Sequence, residues 1–448
     1  MAVEEVNKKK NLKLADELFA AGKFPESEVI FQHWIAQDAT NPALCFRLGH
    51  IALLANRLSE ARQWFAQISE AAPEFTYVPT FLAEIAYRED DFAQAAAHFA
   101  KVGRHAMAAK LAAFGHSIPY LISNTGSIPH GVSQASEKNR FHGVITLPFI
   151  VSEPLPIVRV SVNGLAANFL IDTGTDEVVL DSDFAQDAGA VPGEFERSMF
   201  AGGKHGILQH GRVDSIHLGN VEIGNVPVQM GEIRSLLAPY FDGMPVEGII
   251  GAALFYHFCA TIDYPQSRLI LRSKQVNGAK SGAPEGAVVF ESSGENAGPE
   301  RIDPEKVVSK NIVKVPFWLA ENHHIIAWGS MNGHYPVLMF VDTGQAGFSF
   351  AAPLSTVQNA DLTLCQEETS QAQGGGGWVS VTPFNLAQLN LGAASITHTR
   401  GVLTPQFPLE HRFGFRIGGL LAHDFFKSYA LTLDFTHMHC LLELNRSI

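Results

Sequence analysis

The sequence predicts a multidomain chain in which an all-α helical repeat is followed by two all-β lobes. Three observations predict it. Apolar and small residues recur with a fixed step near the start of the chain, since 58 − 24 and 92 − 58 are both 34. After residue 142 the pattern changes to short alternating apolar runs broken by Gly, Pro and Asn-Gly, as β-structure requires. That second region is itself doubled: Phe169-Leu170-Ile171-Asp172-Thr173-Gly174-Thr175 answers Met339-Phe340-Val341-Asp342-Thr343-Gly344-Gln345.

The composition allows such an architecture and excludes others. A chain of 448 residues with 46% hydrophobic and 17% charged content can bury two or three cores. The net charge of −13, with no compensating basic run, argues against nucleic acid as a partner. The Lys8-Lys9-Lys10 cluster reads as part of a soluble N-terminal leader. The first residues, MAVEEVNKKK, lack the apolar core of a signal peptide. No stretch approaches the ~18–20 apolar residues that span a bilayer, so no membrane is expected. Cys45, Cys259, Cys365 and Cys440 show no CxxC spacing, which suits free thiols in a reducing compartment. The expected location is cytoplasmic.

Within the helical region, assigned to residues 8–115, Phe24, Leu58 and Phe92 share the step of 34, as do Phe31, Phe65 and Phe99. Ser27, Ala61 and Ala95 repeat with them. Small residues let paired helices approach closely, and the repeated Phe fills the gap between neighbours. Polar turns such as Asn56-Arg57 and Glu89-Asp90-Asp91 separate the helices of a unit. The region resembles the tetratricopeptide repeat in period, in small residues at helix crossings and in Pro73 near a repeat boundary. The resemblance implies a solenoid with no chemistry of its own that presents a concave surface to a peptide or partner protein. Residues 116–141, rich in Ser, Gly, Asn and Pro from about His116 to Arg140, read as a linker.

The doubled β region keeps its register over most of its length. Leu147-Pro148-Phe149 answers Val315-Pro316-Phe317. Asn163-Gly164 answers Asn332-Gly333, each an apparent two-residue hairpin turn. Gly248-Ile249-Ile250-Gly251 corresponds to Gly419-Leu420-Leu421-Ala422, and Thr261-Ile262-Asp263-Tyr264 to Thr432-Leu433-Asp434-Phe435. The first aspartates differ by 342 − 172 = 170 and the later ones by 434 − 263 = 171. Two homologous lobes, 142–275 and 311–448, account for this. The connector 276–310 is rich in Gly, Pro, Ser and Glu, with Val288-Val289-Phe290 as a short added strand.

A lone Asp-Thr-Gly would read as a tight turn with Asp capping its own loop. The constellation of apolar strand, Asp-Thr-Gly, Gly-rich segment and apolar-apolar-Gly, twice in order, points elsewhere. It resembles a pair of fused retropepsin-like (aspartic protease) lobes arranged as in the pepsin-like enzymes. The resemblance implies that the two Asp-Thr-Gly loops meet across a pseudo-twofold axis. Asp172 and Asp342 would share one proton, the ionised member activating a water and the protonated one binding the scissile carbonyl. Thr173 and Thr343 would brace the loops reciprocally. Gly174 and Gly344 would permit the turn and leave room for amides aimed at the carboxylates. Thr175 would bond the outer oxygen of Asp172. Gly251 and Ala422 would pack behind the loops, where a small residue is required.

The second lobe departs from the family twice. Gln345 stands where the family prefers Ser or Thr, and Ala422 where the first lobe has Gly251. Both changes bear on whether Asp342 is well oriented. Each lobe also has a Gly-rich stretch about thirty residues after its aspartate, suited to a mobile hairpin tip. These stretches, Gly202-Gly203 and Gly375-Gly376 with Trp378, resemble retropepsin flaps. The run from Gly374 to Gly377 reads equally as a polar loop.

The remaining candidates are weaker. His437 and His439 would share a strand face with Cys440 opposite, and no third or fourth metal ligand is identified. His323-His324 read as exposed hairpin residues. No metal and no cofactor is expected. The expected function is that of a cytoplasmic aspartic endopeptidase on a peptide or protein substrate, with the repeats recruiting substrate or partner. The rival is a non-catalytic peptide-binding scaffold that keeps the fold. A third arrangement pairs lobes between chains.

Overall fold

The computed structural model describes residues 2–115, 117–124, 141, 143–200, 203–274, 312–374 and 377–444. The expected connector 276–310, Val288-Val289-Phe290, and the glycines Gly202, Gly375 and Gly376 lie outside the described residues.

Among the described residues seven α-helices come first: α1 (Ala2–Ala20), α2 (Phe24–Ile35), α3 (Pro42–Leu54), α4 (Leu58–Phe65), α5 (Val78–Arg88), α6 (Phe92–Lys101) and α7 (His105–Ala112). The repeated Phe24, Leu58 and Phe92 are the first residues of α2, α4 and α6. The side chains of Asn41 and Asp91 cap α3 and α6 by accepting from Leu44 N and Gln94 N. Phe31, Phe65 and Phe99 are buried, as are Ser27, Ala61 and Ala95. A Cβ on Gly49 would stand 2.7 Å from the Phe65 ring, so the α3–α4 crossing needs glycine there.

The C-terminal ends of α1, α3 and α5 pack against the β region. Phe19 lies edge-on to Phe415 at 6.0 Å, and Phe24 meets Trp318 at 5.4 Å. Asn56, in the turn after α3, bonds the Tyr256 hydroxyl at 3.1 Å. Arg88, at the end of α5, spends its donors on Leu53 O, Ala320 O and the Glu84 carboxylate. A buried guanidinium is tolerated because these acceptors replace water.

Between 144 and 273 and again between 312 and 444, strands follow the same pairing scheme. Leu165–Ile171 runs parallel to Gly248–Ile250, and Tyr335–Val341 runs parallel to Gly419–Leu421. In each case the Asp-Thr-Gly element follows the first strand of the pair. The two segments join in one continuous ladder. Val144–Val151, Arg268–Ser273, Phe258–Asp263, Tyr429–Asp434, His439–Leu444 and Ile312–Leu319 pair antiparallel in that order. Thr261 and Thr432 face each other at its centre, their hydroxyls 2.7 Å apart.

Two local expectations change. Asn163-Gly164 forms a two-residue turn with both φ positive, 48° and 85°, between paired Val162 and Leu165. Its counterpart is a three-residue loop, because Met331 pairs with Tyr335 across Asn332, Gly333 and His334. Leu121–Asn124, expected within a linker, is a strand antiparallel to residues 221–224. Its Ile122 is buried, and that apolar contact outweighs the polar residues around it. Among the described residues, no helix is long and apolar enough to cross a membrane.

Candidate active site

Each Asp-Thr-Gly loop is pinned by the strand beside it. Asp172 N donates to Ile250 O at 3.1 Å, and Asp342 N donates to Leu421 O at 2.9 Å. Within each loop the glycine amide returns to the carboxylate: Gly174 N to Asp172 Oδ1 at 2.8 Å, Gly344 N to Asp342 Oδ1 at 2.9 Å. Such amide bonds fix a carboxylate and favour its charged form.

The two loops meet. Thr173 N donates to Thr343 Oγ1 at 3.0 Å, and Thr343 N donates to Thr173 Oγ1 at 3.1 Å. Thr173 Oγ1 in turn donates to Val341 O. Both threonines are fully buried, so this reciprocal pair is shielded from competing water. A Cβ on Gly174 would lie 2.4 Å from Asp342 Cγ, and one on Gly344 would lie 2.1 Å from Asp172 Cγ. Each glycine therefore leaves the space that the opposite carboxylate occupies. Asp172 and Asp342 are 9% and 5% exposed, and each carboxylate lies against the opposite glycine. Burial, then the charge of Asp172, pushes the Asp342 carboxyl well above the usual carboxylate range, while the Gly344 amide and Gln345 oppose that shift.

The surroundings of the two aspartates differ. Thr175 Oγ1 donates to Asp172 Oδ2 at 2.6 Å. On the other side Gln345 holds the matching place and favours the charged form of Asp342. Behind Asp172, a Cβ on Gly251 would meet Glu177 O at 2.1 Å and Thr175 O at 2.7 Å. Ala422 occupies the matching place and is fully buried. The register differs between the two loops. Val179 pairs with Ile249 and Ala351 with Leu420, so the offset is 351 − 179 = 172 at this strand, against 342 − 172 = 170 at the aspartate. The second loop is thus two residues longer, and Ala422 is buried behind it. Ala422 N bonds Ser349 O at 2.9 Å, and the Asp342 backbone keeps its own anchor.

Around the dyad, Tyr264 is buried, and burial together with the charges of Asp172 and Asp342 pushes its hydroxyl upward. His423 stands edge-on to Tyr264 at 5.0 Å, and burial holds its imidazole down at about 4. The sequence does not single out Tyr264 as a neighbour of the carboxylates or His423 as part of the site.

Two long hairpins stand after the aspartates. Val191–Met199 pairs with His205–Leu218, and Gly203 lies in the turn, its Cβ position 2.8 Å from Gln406 Oε1. Ser370–Gly374 pairs with Gly377–Leu391, which puts Trp378 opposite Gln373 near the tip. Trp378 and Ile207 are 59% and 70% exposed, and Phe195 and Met199 are exposed as well.

His323 and His324, expected on an exposed hairpin, are buried. His324 Nε2 lies 2.5 Å from Asp176 Oδ1, and His323 packs against Tyr256 and Tyr87 at 4.5 and 5.8 Å. His437 Nδ1 bonds Asp434 Oδ2 at 2.7 Å, and Cys440 is buried. Among the described residues, no group of three or more His, Cys, Asp or Glu side chains could hold a metal ion.

Comparison with known proteins agrees with two of these regions. Residues 158–254 match the family model described as aspartyl protease, and residues 18–85 match that of the tetratricopeptide repeat. The first match includes Asp172 and ends before Asp342. Among solved structures, similarity is found to the crystal structure of a retropepsin-like aspartic protease from Rickettsia conorii. It is 20% identical and covers 29% of this chain and 89% of that chain, with a TM-score of 0.22. No curated protein matches.

Proposed function

We propose that residues 142–275 and 311–448 are two related lobes of one aspartic-protease-type site, and that the chain is an endopeptidase acting on an extended peptide. One observation carries the reading: each Asp-Thr-Gly glycine lies against the opposite carboxylate, so Asp172 and Asp342 of one chain face each other. Two buried carboxylates in contact cannot both ionise cheaply and hold one proton between them. The ionised member takes a proton from water, whose oxygen attacks the scissile carbonyl carbon. The protonated member donates to the carbonyl oxygen. Collapse of the tetrahedral intermediate returns a proton to the leaving amine, with no covalent enzyme intermediate. The pair titrates as a unit, so acid and base roles belong to the dyad.

In this reading the hairpins around Gly203 and Trp378 are flaps, and the exposed apolar side chains of Phe195, Ile207 and Trp378 favour substrates with apolar side chains. The helical repeats bring a substrate or partner protein to the site, in the cytoplasm, and no cofactor takes part. Hydrolysis of a peptide library by the parent, Asp172→Asn and Asp342→Asn tests the mechanism. The expected outcome is cleavage by the parent and a loss of about 10³-fold or more in either variant. Parent-level cleavage by both variants overturns it.

A second reading, a peptide-binding scaffold without turnover, is favoured by Gln345, where the Asp172 loop has the shorter Thr175. Binding of a statine-type peptide mimic by a parent that cleaves nothing in the library would favour this reading.

A further inference from the structure

The chain leaving Asp172 ends against the helical array. On one side its backbone is fixed by the strand–helix junction behind the site: Ala252 N donates to Thr175 O and Ala253 N to Asp176 O, both at 2.8 Å. Glu177 O lies over Gly251, one residue from the Ile250 carbonyl that receives Asp172 N. On the other side its acidic side chains bond to other elements. Asp176 accepts from Asn322 Nδ2 at 2.8 Å and pairs with His324. Glu177 accepts from the Tyr87 hydroxyl of α5 and forms an ion pair with Lys110 of α7.

Lys110 and Glu177 are 4% and 2% exposed. A carboxylate and an ammonium buried to this degree persist because each removes the other's uncompensated charge. The contact is therefore stiff, and Glu177 lies five positions after Asp172. The matching place in the second loop is Ser349, since 351 − 349 and 179 − 177 are both 2 in the paired register. Its hydroxyl bonds Thr399 at 2.6 Å, within the same β segment. The array grips the Asp172 loop by a charge pair that the Asp342 loop lacks.

We infer that the helical array is a positioning element of the active site: Lys110 and Tyr87 hold Glu177, and through the 172–177 chain they set the placement of the Asp172 carboxylate. Any partner that shifts α5 or α7 then changes the competence of the dyad. The kinetic consequence rests on the proposed hydrolytic reading. The mechanical one does not.

The test uses the full chain with Lys110→Met, with Lys110→Met/Glu177→Gln, which removes both charges, and with Tyr87→Phe, which removes one hydroxyl. Hydrogen–deuterium exchange is followed in peptides covering 172–177 and, as an internal reference, 342–349, beside kcat and KM for a cleaved peptide. In Lys110→Met, exchange at 172–177 rises about tenfold or more with 342–349 unchanged, kcat falls at least fivefold, and KM stays within about twofold. The double variant removes the clamp without leaving an unpaired buried charge and keeps part of both changes, and Tyr87→Phe gives a smaller shift of the same kind. Unchanged exchange at 172–177, or an equal rise in both loops, overturns the inference. If Lys110→Met fails to fold, the double variant and Tyr87→Phe decide the matter by the same comparison. If the parent hydrolyses nothing, the exchange data still decide the clamp, and the protease reading fails separately.

Discussion

The Asp172 and Asp342 loops present the same atoms to one another and are supported in different ways. Each returns its glycine amide to its own carboxylate, and each threonine amide bonds the opposite hydroxyl. Behind Asp172 the chain is short, packed on Gly251 and tied to the helices through Glu177. Behind Asp342 it is two residues longer and accepts Ala422. The difference teaches that the contact between loops is the invariant part of the site. Its supports are replaceable, provided the backbone anchor at Ile250 or Leu421 is kept.

The largest expected effect comes from the shared part. Gly174→Ala or Gly344→Ala places a methyl within 2.4 or 2.1 Å of the opposite carboxyl carbon. On the proposed hydrolytic reading, peptide hydrolysis should fall about 10²-fold or more in either variant, because the two carboxylates are forced apart. Steady-state kinetics would check this, with equal losses marking the symmetry of the contact.

The supports should respond unequally. Gly251→Ala drives a methyl into the Glu177 and Thr175 carbonyls, backbone that cannot swing aside. A loss of about 1–3 kcal/mol is expected in denaturant unfolding, at the larger end if Glu177 is displaced from Lys110. Ala422→Gly removes one buried methyl and should cost about 1 kcal/mol. Equal penalties would erase the asymmetry described above.

The smallest effect is a pH-dependent gain. The Asp342 carboxyl is raised in the folded state, so its favourable contribution is complete below the unfolded pKa and is lost as pH rises through the folded one. At neutral pH the group opposes folding. Asp342→Asn should therefore raise the melting midpoint by about 2–4 °C at pH 7 and give no gain near pH 3. A melting series across that range would reveal the opposite slope if the shift ran the other way.

Much of this was legible in the sequence where one contact is made repeatedly. Phe24, Leu58 and Phe92 mark helix starts because each begins the second helix of a pair. Asp172 and Asp342 stand out because their whole strand–loop–strand context recurs in order. The Lys110–Glu177 pair was not legible, since it joins residues 67 apart in different kinds of structure. One signal was there: Lys110 falls among Met107, Leu111 and Phe114, which are buried, so a charge interrupts an apolar helix stripe. His323-His324 misled for a related reason. Beside a turn they read as solvated, yet Tyr87, Tyr256 and Asp176, all distant in sequence, enclose them.

The central claim is that Asp172 and Asp342 share a proton. Carbon-13 NMR titration of labelled aspartate carboxyls in the parent and in Asp172→Asn tests it most directly. One carboxyl of the parent should titrate well above the usual carboxylate range, and it should move back toward that range when the Asp172 charge is removed. Two carboxyls that titrate independently, both within the ordinary range and unmoved by Asp172→Asn, would contradict it.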